Sequence, residues 1–352
     1  METQVTTYNL ALVGFGNVGQ ALVRLLRAKR TPLRERYGIE FRITGIASRR
    51  IGWLTDEAGF DLDALCSAHL SSRPEPRSGV ADRPASRACT DVREWLQAAR
   101  ADVLFEATSL NRQTGQPASD HIRAALEHGA HAISANKGPV VFHLDSLNEL
   151  ARANGKQFLY ESSVLDGTPI FNMFRHCLPA IELRGFRGVL NSTTNVILTG
   201  MERGLSFAES LAEAQRLGVA ETDPTDDIEG WDAAVKTVAL ANVLMTAHLT
   251  PASVDRHGIA HLTAEQVRAA RSDGKTYKLV SRAMRHDGRV IASVRPELVP
   301  LNDSLALVEG TSSIVYFETD MFPGLALTED HAGLDATAYG MLADFIEAVS
   351  TH

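Results

Sequence analysis

Cysteine is scarce in this chain. Cys66, Cys89 and Cys177 make an odd count of three with no C-x-x-C spacing, so neither a disulfide framework nor a cysteine zinc site is expected. That economy fits a reducing compartment, and the expectation is the cytoplasm. The twelve histidines are scattered, with no H-x-x-x-H pair on a convincing helix, and none reads as a metal ligand. No run of about 18 residues is dense enough in Leu, Ile, Val and Phe to span a membrane. The opening residues Met1 to Thr7 lack the basic-then-apolar pattern of a secretory signal. A basic excess is also missing. The net charge is -8, which disfavours nucleic acid as a partner, because phosphate backbones need a basic face. Hydrophobic residues at 44% still provide an ordinary globular core, and 352 residues suit two domains.

The N-terminal third is organised. Tyr8 to Val13 is apolar, Gly14-Phe15-Gly16-Asn17-Val18-Gly19 follows, and Gln20 to Ala28 has helical periodicity. Strand, glycine turn and helix in that order suggest a dinucleotide site. Gly14 permits the tight turn, Gly16 lets backbone amides approach a pyrophosphate, and Gly19 allows close packing of helix on strand. A polar loop is expected over Arg30 to Gly38, then a strand over Phe41 to Ala47. Ser71 to Ala88, rich in Ser, Pro, Arg and Gly, reads as a surface loop or insertion. Further helices are expected over Asp91 to Ala99 and Ser119 to His128, and strands over Asp102 to Ala107 and Ala130 to Ser134. This alternation predicts an α/β fold, a Rossmann-type doubly wound parallel sheet followed by a second α+β domain for substrate binding and dimerisation. Domain boundaries are expected at 1–145, completed by about 325–352, and at 146–324.

Beyond residue 145 the composition shifts. Helices are expected over Ser146 to Asn154, Phe207 to Leu217, Ile228 to Ala247 and Asp335 to Val349. Strand-like runs are Phe158 to Glu161, Gly185 to Leu190, Arg289 to Ser293, Leu305 to Leu307 and Ser313 to Glu318. The helix from about Gly230 to Ala247 carries only two charges, Asp232 and Lys236. Being four apart, they share one face. An exposed pair of this kind is worth roughly 0.3–0.5 kcal/mol, but the apolar surroundings here point to a purpose beyond surface decoration.

Three segments carry candidate chemistry. The second strand ends Ala47-Ser48-Arg49-Arg50. A hydroxyl and two guanidiniums there suit a 2′-phosphate, where an Asp or Glu would suit a bare ribose, so NADP is preferred over NAD. A solvated basic loop is the plainer alternative. Lys137, in Ser134-Ala135-Asn136-Lys137-Gly138-Pro139, follows a strand end where ligands bind in such sheets; an ordinary surface lysine is its alternative. Lys236 can donate a proton to a carbonyl oxygen while hydride reaches the carbon. Asp232 would orient it, and Glu221 and Asp227 could hold an amine.

These residues resemble the homoserine dehydrogenase family over nearly the whole chain. Its signature is met by Ala214, Gly218, Asp223, Pro224, Asp227, Ile228, Gly230, Asp232 and Lys236. The segments Asn191-Ser192-Thr193-Thr194-Asn195 and Gly333-Leu334-Asp335-Ala336-Thr337-Ala338 also look like family elements. The resemblance implies NAD(P)-dependent interconversion of L-homoserine and L-aspartate 4-semialdehyde, a small-molecule amino-acid substrate, and a homodimer made through the middle sheet. It implies Lys236 as proton donor or acceptor with Asp232 beside it, and Lys137 in contact with nicotinamide and substrate. Glu221 and Asp227, with Thr193, would bind the amino acid. Gly218 and Gly333 would line the cleft, and Thr108 would touch the cofactor. A monovalent cation, Na+ or K+, is implied at Glu161, Val164, Asp166 and Thr168. Here Leu165 and Asp166 stand where the family often has glycines, which motivates a second reading: a paralogous dehydrogenase for a related hydroxy amino acid or amino-aldehyde. A dinucleotide-sensing module without catalysis is a third, and intact Lys137, Asp232 and Lys236 argue against it. An acylating semialdehyde dehydrogenase is a fourth; it would need an activated cysteine nucleophile, and none of the three cysteines has a convincing base nearby in sequence. With the sequence ending at His352, the appended regulatory domain that some family members carry is not expected.

Overall fold

The structure, a computed structural model, describes residues 4–67, 87–331 and 333–350. The chain forms two units, residues 1–169 with 333–352, and residues 170–332. The first unit is built on β1 (Thr6–Val13), β2 (Ile39–Ser48), β3 (Gly52–Thr55), β4 (Arg87–Cys89), β5 (Val103–Glu106), β6 (His131–Ser134) and β7 (Phe158–Leu159). Their order is β4-β3-β2-β1-β5-β6-β7. From β2 to β7 the pairings are parallel. β3 and β4 are antiparallel additions at one edge. The first unit therefore runs past the expected boundary at 145, because β7 extends the same sheet.

The helix after the glycine turn runs from Asn17 to Tyr37, through the expected polar loop. Its polar stretch is a solvent face: Arg30, Arg34, Glu35 and Arg36 are exposed while Leu33 is buried. Pro32 sits inside it, and Gly38, at φ 67°, ends it with the left-handed cap that glycine adopts without penalty. The insertion expected over Ser71 to Ala88 lies outside the described residues apart from its last two, which open β4. The last helix, Leu334–Val349, returns to the first unit. There Phe345 is buried edge-on against Tyr8 and Phe105.

The second unit carries β8 (Leu183–Val189), β9 (Asp255–Arg256), β10 (Lys275–His286), β11 (Arg289–Pro300), β12 (Ser313–Thr319) and β13 (Leu325–Glu329). They form one sheet in the order β13-β12-β8-β10-β11-β9. The long hairpin of β10 and β11 is in register from Lys275–Pro300 to His286–Arg289. Leu305 to Leu307, expected as a strand, is a turn of 3₁₀ helix from Ser304 to Leu307, started by the Asp303 carboxylate accepting from Leu305 N. Helices pack with this sheet, among them Ser192–Glu202, Ala264–Ser272 and Trp231–Met245.

One half-buried histidine of the first sheet ties stability to pH. His131 Nδ1 accepts from Gln157 N at 3.2 Å. Burial, reinforced by the Lys156 charge, pushes its pKa down to about 4 from 6.5. Between those values the unfolded chain binds the proton first, so the native state loses stability as pH falls from 6.5 toward 4 and keeps it fully above 6.5. His131→Asn retains an acceptor for Gln157 and removes the titration. Urea midpoints should therefore fall less steeply between pH 6.5 and 4.5 in this variant than in the native chain; parallel slopes would contradict the assignment.

Candidate functional site

In the first unit a groove of about 1100 Å³ opens beyond the carboxyl ends of β1, β2 and β5. Strand order reverses between β1 and β5, the switch point where such sheets hold their ligands. Val13, Gly14, Phe15, Gly16 and Asn17 line it, with Ser48, Arg49 and Arg50 along one side and Thr108 and Ser109 along another. Val18 and Gly19 follow in the first turn of the helix. Gly14 has φ +89°, and a Cβ on it would lie 2.3 Å from the Ala107 carbonyl carbon. A Cβ on Gly19 would lie 2.9 Å from Gly14 O. At Gly16 nothing stands within 4 Å of that position, so its bare backbone faces open groove. The helix beginning at Asn17 has no side-chain cap and no acid in its first turn. Its free N–H groups form an anion site. These features fit a dinucleotide pyrophosphate.

Among the described residues lining the groove there is no Asp or Glu. Ser48 Oγ accepts from Arg50 N and Ile51 N, each at 3.3 Å, and so shapes the turn that carries the exposed Arg49 and Arg50. Trp53, Pro117 and His121 also line the groove; they come from β3 and from around the start of the helix Ala118–His128, and no glycine or charge pattern marks them in the sequence. Lys137 is half-buried and opens the short helix Lys137–Phe142, where a Gly-Pro turn is the plainer expectation. Asn136 caps that helix, accepting from Gly138 N at 2.8 Å. Gly333 is the N-cap of the last helix, with nothing within 4 Å of a would-be Cβ.

In the second unit the charged pair stands where the helical spacing put it. Lys236 Nζ lies 3.1 Å from Asp232 Oδ2 and donates to Leu190 O at 2.7 Å. Both side chains are about one-fifth exposed, at 19% and 21%. The acidic run before the helix folds back on it. Asn191, the N-cap of the helix Ser192–Glu202, donates from one Nδ2 to Asp227 Oδ1 at 2.6 Å and to Asp232 Oδ2 at 3.1 Å. One amide thus gathers two carboxylates and, through Asp232, the ammonium of Lys236. Burial and then the neighbouring Asp232 push the Asp227 carboxyl above its ordinary pKa, while Asn191, Thr193 and Lys236 pull it back. Thr193 is buried, and its hydroxyl donates to Val219 O at 2.9 Å. Gly218, at φ +75°, is exposed next to it in sequence. Glu221 is exposed, and its backbone carbonyl accepts from Gln215 Nε2. The carboxylate partner role of Asn191 has no signal in the sequence beyond its place in the Asn-Ser-Thr-Thr-Asn segment.

Two family models cover most of the chain. The one described as homoserine dehydrogenase matches residues 169–346, and the one described as the homoserine dehydrogenase NAD-binding domain matches residues 14–161. The NAD(+)-dependent homoserine dehydrogenase of Pseudomonas canavaninivorans is 36% identical over 97% of this chain and 96% of that protein. The homoserine dehydrogenase of Methanocaldococcus jannaschii is 37% identical over 96% and 97%. The chain belongs to the homoserine dehydrogenase family. Among solved structures, the homoserine dehydrogenase of Thiobacillus denitrificans superposes with a TM-score of 0.81 at 28% identity, covering 98% of this chain and 74% of that one. As a homoserine dehydrogenase it is an NAD(P)-dependent oxidoreductase acting on a CH–OH group.

The homoserine dehydrogenase segment 161–168 lies within the first unit, packed on the last helix. Glu161 and Val164 are buried; Asp166 and Thr168 are half-buried. Glu161 N donates to Asp344 Oδ2 at 2.8 Å, and Thr337 Oγ1 donates to Asp166 Oδ1 at 3.3 Å. Leu165 and Asp166 have φ +48° and +43°. Both positions are therefore left-handed, the conformation that glycine adopts freely and other residues adopt at a cost. Among the described residues no group of three or more His, Cys, Asp or Glu could hold a metal ion.

Proposed function

We propose that the cluster of Lys236, Asp232 and Asp227 is the reducing and substrate-binding centre, with Lys236 as proton donor and acceptor. The observation that carries this reading is Asn191 bridging both carboxylates while Lys236 engages one of them. Two carboxylates beside one ammonium give the cluster more negative than positive charge, which suits the α-ammonium of an amino acid. Glu221 and Thr193 complete the substrate end. In the alcohol-to-aldehyde direction the Lys236 amine takes the hydroxyl proton; in reverse its ammonium returns it. Asp232 keeps that nitrogen oriented. A bound nicotinamide supplies the hydride acceptor or donor. Lys137 contacts nicotinamide and substrate, Thr108 the cofactor, and Gly218 and Gly333 keep the approach free of side chains. A related hydroxy amino acid as substrate is the alternative within the same chemistry.

NADP is the preferred cofactor in this reading, although one relative is named for NAD(+). Support comes from the lack of a carboxylate among the described residues lining the groove and from Arg49 and Arg50 on the turn after β2. Initial rates of homoserine oxidation should give a kcat/KM at least about tenfold higher with NADP than with NAD. Replacing both arginines by Ala should remove that preference on the order of tenfold or more and leave the NAD value within about threefold. A native enzyme that favours NAD would contradict the preference.

The same reading places the enzyme in the cytoplasm as a homodimer. An odd count of three cysteines, Cys66, Cys89 and Cys177, is consistent with the compartment. No helix among the described residues is long and apolar enough to cross a membrane. The second unit exposes Ile291, Leu298 and Leu307, apolar side chains that a subunit partner would cover. Sedimentation should give twice the 38.2 kDa chain mass. A monovalent cation at Glu161, Val164, Asp166 and Thr168 is tested at fixed ionic strength, where K+ or Na+ should raise the rate above that in tetramethylammonium.

A further inference from the structure

Beneath the nucleotide groove lies a carboxylate with no solvent exposure. Glu106, the last residue of β5, is 0% exposed. Its Oε1 accepts from Thr108 N at 3.0 Å and also from the Thr108 hydroxyl. Its Oε2 accepts from Ser134 Oγ at 3.1 Å. Ser134 Oγ in turn accepts from Asn136 N at 3.0 Å. Asn136 Nδ2 then donates to Thr108 O at 3.0 Å and to Ser109 O at 3.3 Å. The ring of hydrogen bonds closes on itself. One loop in it, Thr108 and Ser109, lines the groove. The other loop ends in Lys137, whose helix Asn136 caps.

A buried acid costs the fold free energy unless its partners compensate. Val103, Leu104 and Phe105, which complete β5, are buried and apolar. An apolar residue at 106 would serve that sheet as well, but only a side chain that hydrogen-bonds at both of its terminal atoms joins the two loops. His121 Nδ1 stands 3.8 Å from Oε1 and adds a polar neighbour from the helix Ala118–His128.

We propose that Glu106 is a positioning residue for hydride transfer, holding Thr108 and the Asn136–Lys137 turn in one fixed arrangement. The proposal rests on the roles given above to Thr108 and Lys137. It acts through geometry: a displacement of about 1 Å in a group that touches reactants costs on the order of 100-fold in rate.

The test compares Glu106→Leu, Glu106→Gln, Ser134→Ala, Lys137→Met and the double variant Glu106→Leu/Lys137→Met. Each is measured for kcat, cofactor dissociation constant and melting temperature. Glu106→Leu should lower kcat by on the order of 100-fold. Glu106→Gln should recover to within about fivefold of native, because its carbonyl oxygen still accepts from Thr108 and its amide can donate to Ser134 Oγ. The double variant should fall no more than about threefold below Lys137→Met, since residues acting as a unit do not multiply their losses. A merely structural glutamate would lower the melting temperature and leave kcat per folded molecule unchanged. A native kcat in Glu106→Leu, or losses that multiply in the double variant, would overturn the proposal. If Glu106→Leu does not fold, Ser134→Ala decides: a loss of kcat of about five- to tenfold supports the link it deletes, and a native kcat overturns it. A native kcat in Lys137→Met would overturn the reading of Lys137 and this proposal with it. A lost kcat there beside a native one in Glu106→Leu would overturn this proposal alone.

Discussion

Lys236→Met is expected to lower kcat for homoserine oxidation by on the order of 1000-fold, within the range that a positioned proton carrier supplies. Methionine keeps the length and helix preference of lysine but can neither take nor give a proton. The helix Trp231–Met245 should survive, because Lys236 is only partly buried and its immediate neighbours Val235 and Thr237 carry the packing. The variant leaves Asp232 without its cation, yet Asp232 keeps Asn191 as a donor. Binding of NADP should be unchanged within about twofold, since the groove is lined by residues between Val13 and His121 of the first unit. Fluorescence titration with NADPH and steady-state rates separate the two quantities. Loss of rate with intact cofactor binding also removes a sensing module from consideration, because no lysine would carry turnover there. Asp232→Asn should lose less, about 10- to 100-fold, because Leu190 O still holds the lysine nitrogen.

Gly14→Ala should abolish useful cofactor binding, raising the NADPH dissociation constant by at least about 100-fold. Two independent constraints meet at this residue. Its φ of +89° is left-handed, and its Cβ would stand 2.3 Å from Ala107 C and 2.6 Å from Thr108 N. Backbone atoms cannot move aside as a flexible side chain can, so β1 and the loop after β5 must separate. That separation would disturb Thr108, which lines the groove, and Gly16, whose N donates to Gly14 O at 2.8 Å. Gly16→Ala makes the contrasting case. Its Cβ meets no protein atom within 4 Å, so the fold should tolerate it, and any loss should fall on dinucleotide affinity. Equal stability losses in both variants would contradict this division of roles.

The parts of this enzyme that the sequence displays are those where chemistry constrains local pattern. The glycine turn shows because φ and close approach restrict residue type at Gly14 and Gly19. The Asp232–Lys236 pair shows because helical spacing places i and i+4 together. The helix after the turn looks shorter in sequence than it is, because Pro32 and a polar stretch imitate a loop; burial of Leu33 overrides them. β10 is hard to see because Lys278 and Arg282 interrupt its alternation. In the fold Lys278 is buried with its ammonium on Asn195 Oδ1 and Val308 O, and burial lowers its pKa to about 8. Asn191 and Glu106 are silent for a different reason: the bonds that give them their linking roles, to Asp227 and Asp232 for one and to Ser134 for the other, span 28 to 41 residues, so no short window of sequence contains both ends.

A crystal structure of the complex with NADP and homoserine measures directly whether the Lys236 nitrogen serves the reacting oxygen. Lys236 Nζ is expected within about 2.6–3.2 Å of the homoserine hydroxyl oxygen, with the substrate ammonium on the Asp227 carboxylate. A homoserine bound with its hydroxyl on another side chain, and Lys236 still turned to Leu190 O, would contradict that role.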